Sequence, residues 1–176
     1  MPLSQTMSVN NNENRSRIVD VNFLNLLRVW LDDLSKALYD RFRQLGGIEY
    51  LEESITYWRQ SLNLCPITHP NRSDFLNNFA TAMTTRFEQS GRMDDIEEAI
   101  TCHRQVLTVR PDPNRSSSLD NLANAVSTRG KQLGKMEDLE EAITCLRQAL
   151  VLRLHGHPDR SFSLNNLAIA ALAEDC

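Results

Sequence analysis

Pairs of adjacent glutamates are the residues of this sequence that come closest to a catalytic arrangement. They occur three times, at positions 52–53, 97–98 and 140–141. Two neighbouring carboxylates could serve as general acid and general base. Each pair, however, lies near the start of a predicted helix, where the helix dipole stabilises negative charge. A catalytic pair is needed only once in a protein, so a pair in every copy indicates a structural role.

Cysteine and histidine residues do not form a nucleophilic or metal-binding pattern. The four cysteines include no CxxC pair, and their spacing fits no zinc template. Cys102 and Cys145 occupy equivalent positions on successive predicted helices, whose axes would lie roughly 8–10 Å apart. Because a disulfide needs Cα atoms within about 7 Å, we expect both to be small packing residues. His155 and His157 form an isolated HxH, which is only a weak metal signal, so we expect no metal.

Other chemical signatures are missing from the sequence as well. Once the recurring residues are set aside, no nucleophile, base and orienting group stand out together. The sequence also contains no glycine-rich phosphate loop. We therefore expect no enzymatic activity, no catalytic residue and no cofactor.

Composition and charge argue against a nucleic-acid or membrane protein. The formal net charge of −4 offers no basic surface for nucleic acid or for an anionic bilayer. The most apolar stretch near the start, residues 18–34, carries four charged residues, too many for a membrane span. We therefore expect a cytoplasmic protein that binds neither nucleic acid nor membrane.

Internal repetition is the strongest signal in the sequence. The segment 91–107 reads GRMDDIEEAITCHRQVL, and the segment 134–150 reads GKMEDLEEAITCLRQAL. A turn motif beginning at Pro70 recurs at Pro113 and at Pro158, with spacings of 43 and 45 residues. This regular spacing predicts a series of repeat units: 17–71, 72–114, 115–159 and a partial unit over 160–176.

Each unit contains two segments with helical periodicity. Apolar residues recur at i, i+3 and i+7, which indicates amphipathic helices and not strands. Glycines at positions 46, 91 and 134 end the first helix, and prolines at 70, 113 and 158 stop the second. Serines at 73, 116 and 161 are predicted N-caps. A single hairpin cannot bury both its apolar faces, so we expect an all-α solenoid in which neighbouring hairpins share a core.

Both ends of the chain depart from this pattern. Residues 1–16 are polar and Asn-rich, and we expect a disordered tail. The motif Asn14-Arg15-Ser16 resembles the later turns, but Ser16 lies 57 residues before Ser73. The excess of 12 residues indicates an insertion over 18–29 that lengthens the first helix; a gene-model artefact is the alternative. The final helix lacks a partner, so three interpretations are open: it caps the array, the chain is a fragment, or two chains form an oligomer through this helix. Of these we favour a fragment or a short paralogue.

The spacing within each unit resembles the tetratricopeptide repeat. The resemblance extends roughly from Asp32 to the C-terminus. It rests on a set of large and small residues on both helices, namely Leu76, Phe79, Ala80 and Met83, then Ala99, His103, Val106 and Pro111. The unit of 43–45 residues is longer than the standard unit of about 34. This length and the sequence from His157 to Ala168 are similar to repeat arrays of fungal CHAT-domain proteins and to kinesin light chain repeats.

This resemblance implies a fold and two alternative functions. The implied fold is a right-handed α-solenoid of tetratricopeptide-like hairpins. The first function is a non-enzymatic module that binds a peptide or a partner domain in a concave groove. The alternative is a regulatory or sensor fragment of a larger effector, such as a CHAT-type protease.

Asparagines at one recurring position are the main candidates for partner binding. In the resembling families the first helices line the groove, which would place Asn78, Asn121 and Asn166 in it. An amide both donates and accepts hydrogen bonds, so such a series could pair with the backbone of an extended peptide. The alternative is that these side chains cap turns or bond to neighbouring helices. A further polar lining would come from Asn77, Thr81 and Asn124.

Arginines near the ends of the first helices form a second series of candidates. Arg86 and Arg129 could hold carboxylates of an acidic partner. The competing interpretation, which we favour, is that they complement the helix dipole and pair with nearby acidic residues. In the first unit Asp32 and Asp33 replace the asparagines, which would weaken the groove there or favour basic peptides. His103 takes the place of Leu146 and is expected to be half-buried.

Overall fold

The computed structural model describes the backbone of residues 3–109 and 114–174, and the side chains of residues 22–108 and 114–172. Within these residues it is entirely helical, which confirms the predicted all-α fold. The helices are α1 (Leu3–Leu45), α2 (Ile48–Asn63), α3 (Arg72–Ser90), α4 (Met93–Val109), α5 (Arg115–Leu133), α6 (Met136–Leu152) and α7 (Arg160–Glu174). None of these helices is both long enough and apolar enough, over its described residues, to cross a membrane.

Two compact units make up the chain, residues 1–67 and residues 68–176. In the first unit, α1 packs against α2 as one hairpin. In the second unit, α3 pairs with α4 and α5 pairs with α6, and α7 then packs on α6 and α5. The order of helical hairpins is the one that the repeat spacing predicts.

Glycine ends α3 and α5, as the sequence predicts. Gly91 and Gly134 have φ angles of 67° and 64°, in the left-handed region. Other residues meet a steric penalty in this conformation, because their Cβ atom crowds the backbone. The N–H of Gly91 donates to the carbonyl of Phe87 at 2.7 Å, which satisfies one of the last carbonyls of α3.

The helices after the proline turns begin earlier than expected. Asn71 and Asn114 precede α3 and α5, and neither makes a side-chain cap hydrogen bond. The serines at 73 and 116 are therefore inside the first turn, and their prediction as N-caps is wrong. The reason is that helical bonding has already started: the carbonyl of Asn71 accepts the N–H of Phe75 at 3.2 Å.

Helix α1 differs from the expectation at the start of the chain. Its backbone is helical from Leu3 to Leu45, whereas the sequence analysis predicts a disordered tail over 1–16 and a turn at 14–16. The physical reason is that no glycine or proline interrupts residues 3–45, and Glu13 stands where the later copies have proline. The proposed insertion over 18–29 lies inside this helix and stays a prediction.

A single cluster of buried side chains runs through the second unit. It includes Phe87 of α3, Ile96 and Ile100 of α4, Leu119 of α5 and Ala170 of α7, together with the apolar face of α6. Each hairpin thus completes the burial of its neighbour's apolar face. This shared core confirms the prediction of stacked helical hairpins.

Candidate functional site

Helices α3, α5 and α7 form one face of the second unit. They are the first helices of successive repeat units, and α5 contacts both α3 and α7. Two cavities open on this face. The α3–α5 cavity has a volume of about 60 Å³, and the α5–α7 cavity has a volume of about 280 Å³. Glu88 and Asn124 line both cavities, so the two are contiguous.

The α3–α5 cavity is lined by polar side chains from three helices. They are Thr81, Thr84, Thr85 and Glu88 of α3, His103 of α4, and Asn121 and Asn124 of α5. Three of the residues predicted to bind a partner, Thr81, Asn121 and Asn124, are therefore brought together here. Glu88 is the one charged side chain in this lining.

Threonine hydroxyls in this cavity donate their protons to the backbone of α3. Thr81 donates to the carbonyl of Asn77 at 2.9 Å, and Thr84 donates to the carbonyl of Ala80 at 3.0 Å. Thr85 makes the same bond to Thr81 at 3.0 Å. A hydroxyl that has donated its only proton can offer a ligand only its lone pairs. The threonine side of the cavity is therefore rich in hydrogen-bond acceptors.

His103 forms the buried end of the α3–α5 cavity. Only 1% of the residue is exposed, so the expectation of a half-buried residue is wrong. Its Nδ1 atom is buried and has no hydrogen-bond partner among the described residues. Burial lowers the pKa of His103 to about 4, so the imidazole is neutral at pH 7. Burial also raises the pKa of Glu88, which lines the same cavity.

The α5–α7 cavity repeats the same positions with different chemistry. Its lining is Glu88 of α3, Ala123, Asn124, Ser127, Thr128 and Lys131 of α5, Leu146 of α6, and Asn166, Ile169 and Ala170 of α7. By the repeat spacing, Lys131 stands where the first cavity has Glu88, and Leu146 stands where it has His103. The second cavity is thus larger, more apolar at its base and carries a basic residue at the equivalent position.

The predicted asparagine series, Asn78, Asn121 and Asn166, includes residues that line the cavities and one that also bonds to a neighbouring helix. Asn121 donates from Nδ2 to Oδ1 of Asn77 at 2.9 Å, which links α5 to α3. Asn121 also lines the first cavity, and Asn166 lines the second. Asn78 is half-buried on α3 and does not belong to either lining. The two interpretations of the series are therefore compatible for Asn121.

Arginine side chains of the second series are engaged within their own hairpins. Arg86 donates from Nε and Nη2 to Asp95 at 2.7 and 2.6 Å. Arg129 makes the same two bonds to Asp138, at 2.8 and 2.7 Å. The two arginine side chains are 12% and 11% exposed. The geometry therefore favours the structural interpretation of Arg86 and Arg129 over their assignment as partner-binding residues.

The recurring glutamates connect neighbouring hairpins. Glu97 of α4 accepts a hydrogen bond from Arg129 of α5 at 2.6 Å. Glu141 of α6 accepts two from Arg104 of α4, at 2.8 and 3.0 Å. These contacts agree with the structural role that the repetition of the glutamates indicates.

A buried ion pair was missed by the sequence analysis. Arg153 is 2% exposed and donates to the carboxylate of Asp120 and to the hydroxyl of Ser163. Ser163 in turn donates to Asp120 at 2.9 Å, so the three side chains join α5, the end of α6 and α7. A signal was present, because Asp120 is an acidic residue at the position that Asn77 occupies in the preceding unit.

The remaining candidate chemistry has structural explanations. Cys65, Cys102 and Cys145 are buried thiols outside any disulfide. The Nδ1 atom of His157 accepts the backbone N–H of Asp159 at 3.2 Å, so the HxH serves the turn. Among the residues whose placement is described, no three His, Cys, Asp or Glu side chains are grouped as metal ligands would be.

Comparison with known families gives one result. Residues 115–159, which contain α5 and α6, match the tetratricopeptide repeat family model. No curated protein matches the chain significantly.

Proposed function

Because this chain is a tetratricopeptide-like repeat protein, we propose that it is a non-enzymatic module that binds an extended segment of a partner protein across α3, α5 and α7. Tetratricopeptide repeats are in general protein–protein interaction modules. The observation that supports this particular surface is the pair of contiguous cavities, which occupy equivalent positions between successive hairpins.

An extended peptide suits the arrangement of side chains on this face. Successive side chains of an extended chain alternate in direction, so some can enter cavities while the backbone stays on the surface. Asn124 is exposed between the two cavities and lines both. Its amide can donate to a peptide carbonyl and accept from a peptide N–H. A partner would therefore be held by its backbone at Asn124 and selected by the side chains that enter the cavities.

The test uses peptides selected from a random library on the whole protein. We expect the wild type to enrich peptides, and the double variant Asn124→Arg/Asn166→Arg to bind them at least 10-fold more weakly, because bulky charge would cover both cavities. Asn124 is exposed, so its replacement is not expected to unfold the protein. We do not choose Asn121→Ala, because Asn121 also bonds to Asn77 and its loss would disturb the packing of α5 on α3.

The matched control adds the same charge to the second helices. Thr101 of α4 and Thr144 of α6 are both exposed, and neither lines a cavity described above. The variant Thr101→Arg/Thr144→Arg should bind the selected peptides as the wild type does, in an anisotropy titration. Equal weakening by both double variants, or the absence of any enriched peptide, would contradict the proposed surface.

A further inference from the structure

We infer that the α3–α5 cavity is a subsite for a lysine side chain of the partner, whose ammonium group is bound by Glu88 and by the hydroxyl oxygens of Thr81 and Thr84. This inference rests on the proposed function, since the lysine would belong to the segment bound across α3, α5 and α7. It adds the chemical class of the residue that is recognised and its position on the surface.

Hydrogen-bond capacity is the first argument for an ammonium group. Thr81 and Thr84 line the cavity and have already donated their hydroxyl protons to backbone carbonyls, so their Oγ1 atoms can act toward a ligand only as acceptors. Asn121 uses one of its two Nδ2 protons in the bond to Asn77, and its Oδ1 remains an acceptor. An ammonium group donates three hydrogen bonds and accepts none. A lining with a surplus of acceptors therefore matches a group that only donates.

Charge is the second argument. Glu88 is the charged member of the lining, and it lies at the exposed edge of the cavity. His103, which forms the buried end, adds no opposing positive charge because burial lowers its pKa to about 4. A cationic ligand would thus meet one carboxylate and otherwise neutral dipoles, which is the arrangement that favours a single positive charge.

The unpartnered histidine nitrogen points independently to a ligand. Nδ1 of His103 is buried and has no hydrogen-bond partner among the described residues, although it belongs to a residue that lines the cavity. Buried polar atoms in folded proteins are nearly always hydrogen-bonded, to protein, water or ligand. A donor that enters the cavity, from the ligand or from a water beside it, would satisfy this atom.

Size distinguishes lysine from arginine. The cavity of about 60 Å³ is small beside the neighbouring one of about 280 Å³. An ammonium is a compact charge on a thin methylene stem, whereas a guanidinium is a wide planar fork. The cavity therefore fits the end of a lysine side chain. In the neighbouring cavity Lys131 offsets the charge of Glu88, which also lines it, so the α3–α5 cavity is the more favourable place for the lysine.

The experiment measures coupling between the peptide's lysine and Glu88. Peptides selected from a random library on the wild-type protein should share a lysine at one position. Replacing this lysine by norleucine, which keeps the stem and removes the charge, should weaken binding about 10-fold or more. Glu88→Gln should weaken the lysine peptide by a similar factor and leave the norleucine peptide nearly unchanged. Lys131→Gln is the matched control, and it should not weaken the lysine peptide.

A spectroscopic measurement supplies a second criterion. The ¹⁵N resonances of the His103 ring should shift when the lysine peptide is added, and less so with the norleucine peptide. The inference is overturned if the enriched peptides share no lysine, if norleucine binds as well as lysine, or if the loss with Glu88→Gln is the same for both peptides, as for a cavity that holds only water. In each of these cases selected peptides still exist, so the proposed function survives; failure to enrich any peptide overturns both.

Discussion

Hairpins α3–α4 and α5–α6 share one internal link and differ on the face that carries the cavities. Arg86–Asp95 and Arg129–Asp138 have the same nine-residue spacing, the same donor atoms and nearly the same distances. On the cavity face, in contrast, an acid is replaced by a base and a histidine by a leucine. These two hairpins therefore share the residues that hold their helices together and differ in those on the face proposed to bind a partner.

The α1–α2 hairpin extends this comparison within its own unit. At the position of Asp95 it has Tyr50, and the guanidinium of Arg41 lies 4.9 Å from the centre of the Tyr50 ring. The positions of Thr84 and His103 are occupied by Tyr39 and Trp58, whose rings are 5.8 Å apart. The same repeat positions are thus filled by large aromatic rings in the α1–α2 hairpin and by smaller side chains in the α3–α4 hairpin, where they line the α3–α5 cavity.

The largest expected effect concerns Asp120 and Asn77, which occupy the same repeat position. Asp120→Ala should reduce the free energy of unfolding by about 3–5 kcal/mol, because it leaves the buried charge of Arg153 unpaired. Asn77→Ala removes one neutral hydrogen bond and should cost about 1 kcal/mol. Urea unfolding followed by circular dichroism gives both values. Adding Arg153→Met to Asp120→Ala should recover part of the loss, and similar costs for the two single variants would contradict this account.

A smaller effect should separate the two kinds of hairpin link. Arg129→Met removes the bidentate pair with Asp138 and the bond to Glu97, and should cost about 2–3 kcal/mol of unfolding free energy. Arg41→Met removes an exposed cation–π contact and should cost about 0.5–1 kcal/mol. Thermal and urea denaturation of the two variants test the difference. Equal costs would mean that the tyrosine contact replaces the ion pair fully.

The substitution His103→Leu gives the α3–α4 hairpin the residue that the α5–α6 hairpin has at the equivalent position, Leu146. In the folded wild type the pKa of His103 is about 4, whereas in the unfolded chain it is near 6.5. Between these values the unfolded chain binds more protons, so wild-type stability is greatest above about pH 6.5 and falls as the pH is lowered toward 4. The variant should lack this loss. The unfolding free energy of the variant minus that of the wild type should therefore be about 2 kcal/mol larger at pH 5 than at pH 7.5.

The measurement is the unfolding free energy of both proteins from pH 7.5 to pH 4.5. Glu88 faces the same cavity and its pKa is raised, but it is present in both proteins and cancels to first order in the difference. A pH-independent difference between the two proteins would show that His103 titrates in the folded state as it does in the unfolded chain.

The smallest expected effect is at the exposed contact between α4 and α6. Glu141→Ala removes the ion pair with Arg104, which is largely open to solvent, and should cost less than about 1 kcal/mol. The cost should shrink further when salt is added, because exposed charges are screened. A loss as large as that for Arg129→Met would show that the pair between second helices carries much of the stacking.

Much of the fold could be predicted from the sequence because helical periodicity and turn glycines act locally. The positions of Gly91 and Gly134 alone locate two hairpin turns. The expected disordered tail over 1–16 differs from the helical backbone of α1, because Asn14-Arg15-Ser16 resembles a turn but lacks its proline. The helix continues because Glu13 stands where the later copies have proline, and the similarity of residues 14–16 to the later turns does not end it.

The candidate site could be predicted only in part. Thr81, Asn121, Asn124 and Asn166 line the cavities, and their role in partner binding stays a prediction. Glu88 and Lys131 were overlooked, although their opposite charges at one repeat position were visible. Whether a helical position faces a cavity or a neighbouring helix depends on how successive hairpins are rotated. Periodicity within one helix does not contain that information.

Burial of Cys145 has a consequence for measuring motion in the native state. Its surroundings raise the pKa of the thiol to about 11, so almost none of it is the reactive thiolate at neutral pH. Alkylating reagents would therefore modify Cys145 only during moments when α6 separates from its neighbours. The rate at which Cys145 is labelled reports how often this hairpin opens, and no cysteine has to be introduced for the measurement.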